Sequence, residues 1–340
     1  MYSTFPGRWG TPLSGTTLVG VFLAAGHLGN GGSGGQALAV LCAGLVLVAV
    51  AAWWLARYGV MRLPLNRREG VNLVAIREMA LGEGVNRAVG RAGAGESHCE
   101  APWFMAHLDS KSQPVPIAVR AAGIVATGMV MVLALAYSLS QLVGAVDGSL
   151  WLLLTGIGVL SALPIAASTV GSRSPGALDN ATGVAAVLLA AAALPREAAC
   201  RVCITSAEEL GLAGARAWVG ARSGGKPQPV WNVDTLDDAG TTQAMWSGRM
   251  PRDTVARLAG VAGDAGGELR VRRVIPGILT DGVAVADAGW PAVTLSRGSA
   301  RTLLRVHSAR DRPELLTGEG VAAVAALIAR AADTTGVPGP

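Results

Sequence analysis

The chain has 340 residues, 51% hydrophobic and only 15% charged, with a formal net charge of +5 and a mean hydropathy of +0.43. That is too apolar for an ordinary soluble domain. The surplus sits in blocks before position 60 and between positions 115 and 170, which argues for membrane spans over one oversized core.

The first apolar block opens with Leu13 to Leu28, a short candidate span rich in Gly and Thr and carrying His27. Gln36 to Arg57 follows without an internal charge, long enough to cross a hydrocarbon layer. Trp53 and Trp54 near its end suit a membrane interface. No small-residue cleavage site precedes a mature domain, so a cleaved signal peptide is not expected. Arg62-Leu-Pro-Leu-Asn-Arg-Arg then lies where basic residues meet anionic headgroups of a lipid bilayer. The basic pI of 9.4 would otherwise suggest nucleic acid. With no interleaved aromatic recognition motif, no nucleic-acid partner is expected.

The polar portion begins at Asn72-Leu-Val-Ala-Ile-Arg-Glu, a short strand or a helix opening, followed by a Gly-rich, mobile stretch to Glu100. Pro102-Trp-Phe-Met-Ala-His-Leu-Asp reads as a strand running out into a loop at His107. Ala121 to Val146 and Leu150 to Val170 are two more apolar runs; Ser-Leu-Ser-Gln in one and Pro164 in the other are tolerable inside a helical bundle. Lys and Arg avoid the turns 29–35 and 144–149 and gather at the opposite ends, at Arg8, Arg57 to Arg68, Lys111, Arg120 and Arg173. By the positive-inside rule the polar portion is cytoplasmic and the protein multi-pass in the cell membrane.

Past position 172 the pattern alternates. A turn at Gly176-Ala-Leu-Asp-Asn feeds an Ala-rich helix closed by Pro195; a buried strand at about 201–206 precedes a helix from 209 to 220. Val230-Trp-Asn-Val-Asp, Leu269-Arg-Val-Arg-Arg-Val and Pro291-Ala-Val-Thr-Leu-Ser read as strands, 252–263 and 318–333 as helices, and the last six residues as a frayed tail. Strands alternating with helices predict an α/β fold with a mixed, largely parallel sheet flanked by helices, plus transmembrane α-helices. Four cysteines form no disulfide framework. Cys200 and Cys203 lack a second pair or nearby histidine for zinc and read as packing residues of a reducing compartment.

Glu208 and Glu209 are the most informative pair. Adjacent like charges at the end of a buried strand are costly unless a positive partner lies beside them. His107 and Asp109, Asp179, Asp234 and His307 also fall at expected strand ends or before a helix. Loops at the carboxyl ends of parallel strands converge on one crevice, and two histidines among carboxylates there suit zinc or a similar divalent ion. Each residue alone has a plainer reading: His-x-Asp as a surface pair, Asp-Asn as an N-cap, Glu-Glu as a helix-start dipole complement, Asp234 as a turn cap, His307 with Asp311 as an exposed helix pair.

The ordered set His-x-Asp, Gly-Ala-x-Asp-Asn-x-x-Gly, Glu-Glu-x-Gly-x-x-Gly, Asn-x-Asp and His-x-x-x-Asp resembles the two-zinc aminopeptidases of metallopeptidase family twenty-eight. The resemblance runs from about Asn72 to the C-terminal helix and implies a zinc aminopeptidase-like fold. It implies two divalent metal ions, with His107 and Asp234 holding one, Glu209 and His307 the other, and Asp179 bridging. Glu208 is then the general base, Asp109 orients His107, and Asp311 matches the acid after the last histidine. The implied reaction removes an N-terminal residue from a peptide or small amide substrate. The alternatives are a related amide hydrolase, a glutaminyl-cyclase-like enzyme, or a non-catalytic membrane scaffold.

Soluble members keep the His-x-Asp and Asp-Asn segments close in sequence, whereas here 113–171 intervene. The expected organisation is therefore an N-terminal membrane region at 1–60, a metallopeptidase domain at 70–112 and 172–335, and an inserted two-span hairpin at 113–171. An even number of spans returns the chain to the side it left. The S1 pocket would draw on loops 239–250 and 276–300; Met245, Trp246 and Trp290 could line it, with core packing the plainer reading. Composition and motifs leave the oligomeric state undetermined.

Overall fold

A computed structural model of the chain describes residues 1–78, 101–275 and 277–333. The Gly-rich stretch after Glu78, Cys99 and the tail lie outside the described residues. The chain divides into two compact units: Met1–Glu69 with Lys111–Arg173, and Gly70–Ser110 with Ser174–Pro340.

In the first unit, apolar runs too long for strands become helices: α1 (Phe5–Asn30), α2 (Gly34–Trp54), α3 (Ile117–Leu142) and α4 (Trp151–Ala166). α2 runs on through a wide π-type turn at Leu55–Gly59 into Val60–Arg62. A small antiparallel ribbon pairs β1 (Tyr2–Ser3) with β2 (Arg67–Arg68). The helices meet through glycine. A Cβ on Gly15 would lie 2.2 Å from the Ala166 nitrogen, one on Gly29 2.1 Å from the Trp151 ring, and one on Gly44 2.3 Å from Val21. Close backbone approach through small residues is how helices associate in lipid, where apolar burial offers no drive. Polar side chains link the same helices, with Gln141 Nε2 donating to Gly29 O at 2.8 Å and Trp151 Nε1 to Gln141 Oε1 at 2.8 Å.

Two of these helices, Gly34–Arg62 and Ile117–Leu142, are long and apolar enough to cross a membrane. Their outer faces expose large side chains such as Val46 (61%), Val50 (57%), Val125 (62%) and Val132 (65%). α1 is longer than its apolar run suggested: it starts at Phe5, with Pro6 in its first turn where a missing N–H costs nothing, and runs to Asn30. α4 has 16 residues, shorter than the expected run, because the chain turns out after Ala166 and Ser168 Oγ folds back onto Pro164 O at 2.7 Å. The two ends of 111–173 meet: Ser112 and Gly171 exchange backbone hydrogen bonds of 2.9 and 2.8 Å.

The second unit is built on one seven-stranded sheet. Its strands are β3 (Leu73–Arg77), β4 (Trp103–His107), β5 (Cys200–Thr205), β6 (Val230–Leu236), β7 (Thr241–Trp246), β8 (Leu269–Arg273) and β9 (Ala292–Gly298), in the spatial order β3-β5-β4-β6-β9-β7-β8. The central four, β5-β4-β6-β9, are parallel, so their carboxyl ends share one edge. β3 and β7 pair antiparallel with their inner neighbours, and β8 runs parallel to β7.

Strand alternation sorts the side chains into two cores. One face carries Phe104, Ala106, Val202, Ile204, Trp231, Val233, Val293 and Leu295, covered by α5 (Thr182–Ala193), α7 (Arg252–Asp264) and α9 (Glu319–Ala332). The other carries Trp103, Met105, Cys203, Val230 and Ala292 under α6 (Ala213–Gly220) and α8 (Asp281–Asp287). The same alternation places Cys200 and Cys203 in opposite cores, so their thiols do not face each other and both act as packing residues.

Several elements differ from the sequence expectation. α6 starts at Ala213, four residues later than expected, because Gly211 (φ 109°) and Leu212 (φ 61°) take left-handed backbone that ends any continuous helix there. The segment 239–250 contains strand β7, and 276–300 contains α8 and β9. Met245 and Trp290 are buried in the unit, consistent with packing roles.

In α1, a Gly20 Cβ would meet nothing within 4 Å, whereas a Gly15 Cβ would meet the backbone of Ile165 and Ala166. Gly20→Ala should therefore leave the thermal midpoint in detergent unchanged or raised. Gly15→Ala should lower it, by about 1–3 kcal/mol of overpacking. Equal midpoints for the two variants would contradict this packing.

Candidate metal centre

Every expected ligand comes from the carboxyl edge of the parallel strands or from the turn entering α5. His107 is the last residue of β4, Glu208 and Glu209 follow β5, Asp234 lies in β6 at a register irregularity, and His307 comes after β9. Asp179 sits in the non-helical turn Ala177–Ala181, which contains the cis peptide Asp179–Asn180. The structure brings all six side chains into one buried crevice.

Asp179 is the hub. Its Oδ1 lies 3.1 Å from His107 Nε2 and its Oδ2 lies 3.0 Å from His307 Nε2. His107 Nε2 is also 3.8 Å from Asp234 Oδ1, and His307 Nε2 is 3.2 Å from Glu209 Oε1. Ligand atoms of His107, Glu208 and Asp234 lie within 4.8 Å of one another, as do those of Asp179, Glu209 and His307.

The residues fit divalent cations. His107 is only 1% exposed and its Nδ1 lies 2.9 Å from the Asp109 carbonyl, which fixes that nitrogen as the donor. In the neutral ring Nε2 is then a lone pair, buried and facing two carboxylates. An acceptor aimed at acceptors in a dry site needs a cation between them.

The electrostatics show the same strain. For His107, burial opposes the charged ring, but Glu208, Asp179 and Asp234 together hold its pKa well above the usual value. Burial would raise Asp179, yet the close approach and charge of both imidazoles hold it well below the usual carboxylate range. Glu208 is pushed well above that range, first by burial and then by Glu209, Asp234 and Asp281, against the pull of His107.

Two aspartates shape the loops. Asp109 accepts the amides of Glu208 (3.0 Å) and Glu209 (3.1 Å), pinning the Glu-Glu turn to the β4 exit. Its carboxylate stays 3.8 Å from His107 Nδ1; the short contact to the ring is made by its main-chain carbonyl. Asp311 accepts the amides of Leu178 and Asp179 and the hydroxyl of Ser174. Each histidine segment thus supplies an aspartate that grips the backbone carrying a carboxylate. Asn180 completes the frame: its Oδ1 accepts the Gly183 and Thr235 amides at 3.1 and 3.2 Å, and its Nδ2 donates to Val233 O at 2.9 Å.

The motif glycines have steric reasons. A Cβ on Gly183 would sit 2.2 Å from Asn180 Oδ1, and one on Gly214 2.2 Å from Ser206 O.

Asp281 escaped sequence reasoning. It opens α8 fully buried and accepts the Thr205 hydroxyl, which also reaches Ala106 O at 3.2 Å. Burial, with Asp109 and Asp234 adding to it, pushes its carboxyl up to about 7 against His107 and Thr205. Thr-Asp-Gly before a short helix reads as an ordinary N-cap, and nothing local reveals the burial.

The description Peptidase family M28 matches residues 164–332, a stretch containing Asp179, Glu208, Glu209, Asp234 and His307. Among solved structures, the chain is similar to the zinc aminopeptidase BSAP from Bacillus subtilis, at 16% identity and a TM-score of 0.46 over 76% of this chain and 48% of that one. It is similar to an aminopeptidase from Aneurinibacillus sp. strain AM-1, at 24% identity and a TM-score of 0.42 over 47% and 40% of the two chains. It is also similar to the LapA aminopeptidase of Legionella pneumophila, at 21% identity and a TM-score of 0.41 over 48% of each chain. The chain therefore spans about half the length, or less, of these solved proteins. No curated protein matches the sequence.

Asp281 gives the metal-free protein a pH signature. Its folded carboxyl titrates at about 7, above the unfolded value of roughly 3.9, so ionising it costs stability progressively as pH rises between the two. In chelator-treated protein, Asp281→Asn should raise the thermal midpoint at pH 8 and change it little at pH 4. A gain of the same size at both pH values would show that the carboxyl is not held protonated.

Proposed function

We infer the function from one premise: residues 164–332 belong to peptidase family M28. The chain is read as a membrane-anchored, metal-dependent exopeptidase that hydrolyses the N-terminal peptide bond of a peptide. One observation carries the reading. A single carboxylate, Asp179, faces a different imidazole with each of its oxygens, and the buried one, His107, presents an orphaned nitrogen.

In this reading His107 and Asp234 hold one zinc ion, Glu209 and His307 a second, and Asp179 serves both. When bound, the metals polarise the scissile carbonyl as Lewis acids. Glu208 accepts a proton from the attacking water and passes it to the leaving amine nitrogen. Asp109 keeps Glu208 and Glu209 at fixed distances from the β4 exit, and Asp311 does the same for Asp179.

A second reading rests on the closeness of Glu208 to His107 and Asp234, which would make Glu208 a ligand. The two readings separate on one pair of variants. Under the general-base reading, Glu208→Gln keeps bound zinc while kcat falls about 10²–10⁴-fold with KM little changed. Glu209→Gln loses metal, and excess zinc partly restores activity. Metal loss in Glu208→Gln with retention in Glu209→Gln would reverse the assignment, and unchanged turnover in both would remove it. Exhaustive chelation should abolish hydrolysis of aminoacyl-amide reporters, and zinc or cobalt should restore it.

The membrane part of the reading is a multi-pass anchor at 1–60 and 113–171, with a cytoplasmic metallopeptidase domain at 70–112 and 172–335. Support comes from the exposed apolar helix faces, the glycine contacts and the gathering of Lys and Arg at one set of helix ends. In a background without native cysteines, Ser149→Cys should react with an impermeant thiol reagent in intact cells, while Ser223→Cys should react only after lysis. The opposite pattern would place the catalytic unit outside.

A further inference from the structure

The first unit contains eight Lys and Arg residues against two acids, Glu69 and Asp147. Arg8 lies in the first turn of α1, and Arg57 and Arg62 in the continuation of α2. Arg67 and Arg68 form β2, and Arg120 opens α3. The start of α1 and the end of the α2 continuation are drawn together. The β1–β2 ribbon ties the start of α1 to the segment after α2, Arg67 donates to Met1 O at 3.1 Å, and Pro6 lies beside Gly59. Asp147 sits in the loop at the far end.

Within this basic end Tyr58 organises a cluster. The Arg62 guanidinium stacks 4.9 Å from the ring centroid, Arg57 lies 5.8 Å from it and donates to the phenol oxygen at 3.3 Å, and Trp53 packs edge-on at 5.7 Å. Trp53 is 59% exposed, Trp54 37% and Trp9 46%. Earlier in α2, from one turn before Trp53, the exposed large side chains are aliphatic: Leu45, Val46, Leu47 and Val50.

Aliphatic surface, then indole, then guanidinium, in order along one helix, matches the layers of a bilayer leaflet from acyl chain to phosphate. Stacking on Tyr58 leaves the Arg62 fork oriented and its N–H edge available, as bidentate recognition of a phosphodiester requires. We propose that Arg57, Tyr58, Arg62 and the β2 arginines form a binding site for the phosphate headgroup of an anionic glycerophospholipid. The inference rests on the membrane-anchored reading above and adds a lipid preference to it.

The test uses the full chain purified in mild non-ionic detergent and exposed to equal amounts of phosphatidylglycerol and phosphatidylcholine, with bound lipid counted by native mass spectrometry. Wild type should enrich phosphatidylglycerol. Arg57→Gln/Arg62→Gln should lose about ten-fold or more of that preference, given about five-fold per arginine at a lipid surface. Arg252→Gln/Arg257→Gln, an equal charge change in the second unit, should not alter it. Raising salt should weaken the preference, and millimolar inorganic phosphate should leave it intact. Equal binding of the two lipids by wild type, or unchanged enrichment in the double variant with helical content preserved, would overturn the site. Displacement by free phosphate would overturn the lipid assignment. Alkaline carbonate extraction distinguishes the premises: protein released from membranes would sink the anchored reading and this inference with it. Protein retained without a lipid preference would sink this inference alone.

Discussion

Four carboxylates and two imidazoles packed into one buried crevice are the constraint on which the second unit depends. Desolvating several like charges in one crevice is expensive, and removing one partner from such a set typically costs about 3–5 kcal/mol because the others stay buried without it. The imidazoles answer part of the need by facing Asp179 from two sides. The orphaned His107 nitrogen shows that they do not answer all of it. Divalent cations would complete the balance, and they would also reverse the local proton affinities that the bare cluster imposes.

Holding such a cluster open calls for a rigid frame, and the frame is made of main-chain amides. Asp109 and Asp311 reach across 99 and 132 residues of sequence to hold the turns that carry Glu208, Glu209 and Asp179. Their role is geometric: a carboxylate that accepts two amides fixes a loop more firmly than one hydrogen bond can. Asn180 does the same between the α5 turn and β6. The motif glycines exist because these turns approach backbone too closely for a side chain.

The long insertion between the first and second ligand segments does not disturb this frame. The Ser112–Gly171 bridge closes its neck, and in the second unit Ser110 Oγ reaches Ser174 O at 3.3 Å. The chain leaves and returns at one place, so His107 and Asp179 remain neighbours. Inside the first unit the glycine contacts and inter-helical polar bonds join a buried apolar cluster of Phe22, Leu41, Val130, Met131 and Trp151 in holding the helices together.

Sequence alone determined the alternation of strands and helices, the order of the candidate ligands and the apolar character of the helices between His107 and Asp179. These are local properties, carried by residue periodicity, turn chemistry and charge. The late start of α6, the strand at 241–246, the reversed direction of β7 and β8 and the burial of Asp281 were decided by tertiary structure. So was the division of labour at Asp109, whose carboxylate holds amides while its carbonyl orients His107. Each depends on which distant backbone or side chain comes to lie opposite. Pairing energy between strands and the cost of burying a carboxyl are set by that neighbour, and no window along the chain contains it.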